Sequence, residues 1–86
     1  MDSSLPPHVI EDINQIKKVI AYYRSYLISW KWSNGIITIM VFVNDYMYFK
    51  PIITKIEYLG YQIQYWKSHG DGRLFVVEIY DKMSSL

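Results

Sequence analysis

The chain has 86 residues, enough for one hydrophobic core and too few for a second. With 51% hydrophobic and 20% charged residues it is not a disordered polymer, and a net charge of +1 advertises neither a nucleic-acid nor a membrane partner. It contains no cysteine, which excludes disulfides, zinc–thiolate sites and thiol catalysis.

Met1 to Pro7 carries neither the basic start nor the apolar stretch of a signal peptide. The longest apolar run, Ile36 to Val43, is well short of a membrane span. The expectation is therefore a soluble cytoplasmic protein of one domain, residues 1–86, with loose ends at 1–6 and 82–86.

Val9, Ile13, Ile16, Ile20 and Tyr23 recur at helical spacing, so a helix is predicted from Pro7 to Arg24, with one face buried. Proline suits its first turn, where the N–H has no partner within the helix. Glu11 and Asp12 toward its start, and Lys17, Lys18 and Arg24 toward its end, suit the helix dipole. Glu11, Asp12, Asn14, Lys17 and Lys18 read as its solvated face, and His8 as a solvated side chain.

Asn34-Gly35 predicts a type I′ hairpin turn, since both central residues need positive φ. A two-residue loop sets Trp32 opposite Ile37, Trp30 opposite Ile39, Ile28 opposite Val41 and Tyr26 opposite Val43 on one apolar face. Leu27–Phe42, Ser29–Met40 and Lys31–Thr38 then occupy the other. Asn44 to Lys50 is ambiguous; reading Tyr46 to Phe49 as a third consecutive strand gives a competing αβββα layout. A second helix follows from Pro51 through Ile52, Ile56 and Leu59, ended by Gly60, with Lys55 and Glu57 toward solvent.

Tyr61 to Tyr65 alternates as a strand, His69 to Gly72 is a turn, and Leu74 to Tyr80 is the last strand. A two-residue loop would put Glu78 on the core face. A three-residue loop, Gly70-Asp71-Gly72, instead pairs Lys67 with Phe75, Tyr65 with Val77, Ile63 with Ile79, and Gln64 with Glu78 on the other face. Trp30, Trp32 and Tyr65 then read as core or core-rim aromatics.

The two halves share a thin likeness: Ile16, Ile20 and Tyr22 recur as Ile52, Ile56 and Tyr58. The predicted class is α+β, an αββαββ two-layer sandwich with both helices on one face of a four-stranded, mostly antiparallel sheet. This is the order of a ferredoxin-like βαββαβ chain whose first strand has moved to the end. The expected strand order is third, fourth, second, first, antiparallel except at its centre, with a right-handed crossover through the second helix. The two most apolar strands then lie inside and the more polar ones at the edges.

On that plan the sheet face away from the helices carries Leu27, Ile36, Met40, Phe42, Trp66, Leu74, Val76 and Tyr80. A contiguous apolar patch of this kind marks either an internal cover, from the tail or the 44–50 segment, or an association surface. The expectation is a non-enzymatic interaction or regulatory module that forms a homodimer through this face. The alternative is a nucleic-acid-binding sheet with contacts from Lys31, Trp66 and Arg73, weakened by Glu78 in the middle and by the lack of a basic cluster. His69 and Asp71 are too few for a metal site and fit a turn. Glu78 has no companion for acid–base work, and neither a phosphate loop nor a nucleophile elbow occurs. No catalytic, cofactor-binding or metal residue is assigned.

Overall fold

The computed structural model describes residues 5–84. Elements follow in the order α1 (Pro7–Tyr22), β1 (Ser25–Ser33), β2 (Ile36–Val43), a 3-10 turn (Tyr46–Tyr48), α2 (Phe49–Tyr58), β3 (Gln62–His69) and β4 (Leu74–Tyr80). The fold is α+β, a four-stranded antiparallel sheet with two helices. Of the predicted loose ends, residues 1–4, 85 and 86 lie outside the described residues. Pro6 instead caps α1, its carbonyl accepting Val9 N–H at 3.0 Å, and Lys82 to Ser84 form a hydrogen-bonded turn.

The strands lie in the order β1-β2-β4-β3, the expected one, and every neighbouring pair is antiparallel, the central β2·β4 pair included. The expected exception at the centre fails for a topological reason. The helix between β2 and β3 returns the chain, so these two strands run in the same direction. The second hairpin then reverses it, and β4, inserted between β2 and β3, opposes both.

Alternation along β2 sends Ile37, Ile39, Val41 and Val43 toward the helices, and along β4 it sends Phe75, Val77 and Ile79. They form one buried cluster with Val9, Ile13, Ile16, Val19 and Ile20 of α1 and Phe49, Ile52 and Ile56 of α2. Fully burying each such side chain contributes about 1.5–3 kcal/mol, so this layer is the main source of stability. Phe49 stacks on Phe75 with ring centroids 3.7 Å apart and sets where α2 begins. The 44–50 segment is thus a 3-10 turn and a helix start rather than a third consecutive strand. Asp45 caps the turn, its Oδ1 accepting Met47 N–H at 3.0 Å.

Helix α1 ends at Tyr22, two residues before the expected Arg24. Arg24 takes φ +57°, the left-handed conformation that stops a helix. Asn34 and Gly35 have φ +50° and +84°, as a type I′ turn requires.

The two hairpins pair as expected in part, and each contains a bulge. In the first, Trp32↔Ile37, Trp30↔Ile39 and Ser29↔Met40 hold, then the register shifts at Ile28, giving Leu27↔Val41 and Tyr26↔Phe42. In the second, Ile63↔Ile79 holds, but the register shifts at Gln64, giving Tyr65↔Glu78, Trp66↔Val77 and His69↔Leu74. The second loop therefore has four residues, Gly70 to Arg73, rather than three. A bulge adds one unpaired residue and moves every side chain on one side of it to the opposite face.

Candidate functional site

The sheet surface away from the helices is assembled by the same alternation that builds the core. It takes Ile36, Thr38, Met40 and Phe42 from β2, and Leu74, Val76, Glu78 and Tyr80 from β4. The central register aligns them as Phe42↔Leu74, Met40↔Val76, Thr38↔Glu78 and Ile36↔Tyr80. All eight are half-buried by their neighbours in the sheet, and no described helix covers them.

The edge strands extend these rows. Tyr26 lies beyond Phe42, with rings 6.3 Å apart, while Ser29 and Lys31 lie beyond Met40 and Thr38. On the other side Lys67 flanks Val76 and Tyr65 flanks Glu78. Gln64 Nε2 donates to Glu78 Oε1 at 3.3 Å, so the carboxylate in the middle of the face has a partner. A shallow depression of about 360 Å³ opens beside Lys31, Thr38, Met40 and Val76.

Six of the eight residues expected on this face stand there: Ile36, Met40, Phe42, Leu74, Val76 and Tyr80. Leu27 does not. The bulge at Ile28 turns it against the core, and Tyr26, expected in the core, takes its place on the surface. Trp66 does not either. The bulge at Gln64 sets it opposite Val77, where its ring lies 4.9 Å from Phe49 and 6.0 Å from Phe75, and Tyr65, expected inside, is exposed in its stead.

The three residues of the nucleic-acid alternative are not brought together. Lys31 lies on the open face and Trp66 against the core aromatics, while Arg73 lies in the second loop, where its N–H bonds Asp71 Oδ1 at 3.2 Å. Among the described residues neither alternative internal cover is realised. The 44–50 segment feeds Phe49 into the core, and the turn after Tyr80 is drawn to the start of α1.

That turn rests on a buried polar cluster. Asp12, expected on the solvated side of α1, is buried, and it accepts Tyr61 Oη–H at 2.9 Å and Lys82 N–H at 3.0 Å. Asp81 is buried as well, accepting Trp32 Nε1–H at 2.7 Å and Ser84 N–H at 2.9 Å. His8 is not freely solvated, for its Nε2 lies 3.3 Å from Asp81 Oδ2. Burial, then the hydrogen bond to Asp12, pushes the Tyr61 phenol well above its ordinary 10.0. Burial also raises the Asp81 carboxyl, but hydrogen bonds from Trp32 and Ser84, with the nearby His8 ring, outweigh it, so the group sits below its ordinary 3.8.

The sequence held one signal for this cluster. Val9, Asp12, Ile13 and Ile16 follow i, i+3, i+4, i+7, so Asp12 interrupts the apolar stripe itself. Asp81 gave none, since its partners Trp32 and His8 are remote in sequence.

Comparison with known protein families, with characterised proteins and with solved structures gave no match to this chain.

Proposed function

We propose that this chain is a non-enzymatic interaction module that associates with a second copy of itself through the open face of its sheet. The observation that carries the reading is the block of Ile36, Met40 and Phe42 beside Leu74, Val76 and Tyr80, aligned across the central pair and left uncovered by the described chain. Tyr26 and Tyr65 at its margins add the residue type enriched in interface cores. The occupant is a second copy because the face complements itself. Glu78 lies near the middle, with lysines on both outer strands, Lys31 and Lys67, so a twofold pairing with the two sheets offset brings a lysine of one copy to the carboxylate of the other beside the apolar block.

Four strands about 4.8 Å apart and seven residues long give a face of about 450 Å² in projection. That is modest for a stable interface, so the expected dimer is reversible and dilution-sensitive. We read the architecture as a permuted ferredoxin-like sandwich. The strand order β1-β2-β4-β3 and the antiparallel pairing throughout support it.

Solution mass by light scattering at two protein concentrations tests the association. The expected result is a dimer that dissociates on dilution, and a folded monomer for Phe42→Asp and for Met40→Lys. A wild-type monomer at every concentration, or a dimer that survives both substitutions, overturns it.

A further inference from the structure

The opposite side of the molecule holds a second surface that sheet association leaves free. Helices α1 and α2 pack side by side. Between them runs a depression of about 540 Å³, bordered by Lys18, Tyr22, Tyr23 and Lys55. A second, of about 610 Å³, continues along α2 past Lys50 and Tyr58 and shares Tyr23 and Lys55 with the first. The two form one groove, and from Lys50 to Tyr58 it follows about 12 Å of helix.

Its chemistry is one-sided. Among the described residues three lysines border it and no carboxylate does, and no salt bridge engages Lys18, Lys50 or Lys55. Tyr22 and Tyr58 are each 80% exposed, far more than aromatic burial alone would leave. Lys55 Nζ lies over one face of the Tyr58 ring, 5.0 Å from its centroid, so a cation stands beside an aromatic side chain that is still largely exposed. A cationic groove with free aromatic faces matches two needs of a single nucleic-acid strand: neutralised phosphates and surfaces for base stacking. An acidic peptide would use the lysines and leave the tyrosines idle.

We infer that the groove between α1 and α2 binds single-stranded nucleic acid, with Lys18, Lys50 and Lys55 on phosphates and Tyr22 and Tyr58 under bases. The surface lies across the molecule from Lys31 and does not depend on self-association through the sheet. Three phosphate contacts give a slope near −2 in log affinity against log salt, about a twenty-fold weakening between 50 and 200 mM.

The test is fluorescence anisotropy with labelled oligothymidylate and oligouridylate at low salt. The full chain is compared with Lys55→Glu, Lys50→Glu, Tyr22→Ala, Tyr58→Ala and, as the sheet-face control, Lys31→Glu. Every substituted side chain is exposed, and circular dichroism with thermal melting verifies folding. Expected are a loss of ten-fold or more for each glutamate variant in the groove, about five-fold or more for each alanine variant, and no change for Lys31→Glu. Binding of either strand type with this pattern supports the inference. No binding at low salt, tyrosine variants that bind like wild type, polyglutamate competing equally, or a loss confined to Lys31→Glu each overturns it.

Discussion

Tyr22, Tyr23, Arg24 and Ser25 close the first helix and lead into β1; Tyr58, Leu59, Gly60 and Tyr61 do the same for the second helix and β3. In both places an exposed tyrosine is followed by a half-buried side chain, a residue at positive φ and a buried residue. Trp30 and Trp66 occupy equivalent strand positions, and both hairpins bulge at equivalent points, Ile28 and Gln64. Val43 N–H donates to Arg73 O at 2.8 Å, and Asp81 N–H donates to Gly35 O at 2.9 Å, the same bond seen from either half. The halves are therefore related by an approximate twofold axis near the Ile39–Val77 pair.

The differences collect where each half ends. Val43 and Asp81 are equivalent and both buried, yet one is a hydrocarbon and the other a carboxylate. After Val43 the chain departs into α2, which supplies its own apolar cover. After Asp81 it turns back, and the part-buried N–H groups of that turn need acceptors, which Asp81 and Asp12 provide. A shared plan thus fixes the interior, while local demands at the exits choose the polar residues.

Three substitution sets probe that comparison. The largest effect falls on the matched core pair: Ile16→Ala and Ile52→Ala are expected to cost about 2–5 kcal/mol each, agreeing within about 1 kcal/mol, by urea denaturation. A large gap between them would mean that the halves do not share one cooperative core.

Next comes the mismatched pair at the strand ends. Asp81→Ala leaves Trp32 Nε1–H without its acceptor, while Ser84 N–H keeps the Asp81 backbone carbonyl at 3.0 Å, and is expected to cost about 1–3 kcal/mol. Because the Asp81 carboxyl sits below its ordinary 3.8, its contribution is present above that pH and is lost as pH falls through the lower folded-state value. Asp81→Asn should therefore flatten the acid limb of the stability curve, whereas Val43→Ala should lower the whole curve and leave its shape unchanged. Equal acid limbs for Asp81→Asn and wild type would refute the assignment.

The smallest effect concerns the helix stops. Gly60 holds φ +100° without a Cβ, whereas Arg24 holds φ +57° with one. Gly60→Ala is expected to lose about 1 kcal/mol and Arg24→Gly to gain about 0.5–1 kcal/mol, read as opposite shifts in melting temperature.

Much of this architecture is legible locally. Asn34-Gly35 names its own turn, and the stripes of α1 and α2 name their buried faces. What stayed hidden depends on residues far apart. Neither Ile28 nor Gln64 is a glycine or otherwise announces a bulge; each is extruded because the strands are pinned by the turn at one end and by the core at the other. That exchanged Leu27 for Tyr26 and Trp66 for Tyr65 on the candidate surface, while the central strands, which have no bulge, present the expected faces although they pair antiparallel rather than parallel. Asp12 and Asp81 were missed because Tyr61, Lys82, Trp32 and His8 reach them from distant parts of the chain.

The approximate twofold has a consequence for assembly at high concentration. Residues at Ile39 and Val77 lie near the axis, so each half presents to the other a strand much like its own. A half from a neighbouring molecule can take that place with nearly the same hydrogen bonds, and exchange of halves between chains is the expected route of misassembly. A short link after β2 favours that exchange, and what opposes it is Asn44, whose Nδ2 donates to Arg24 O at 2.9 Å and ties the connection back to the half it leaves.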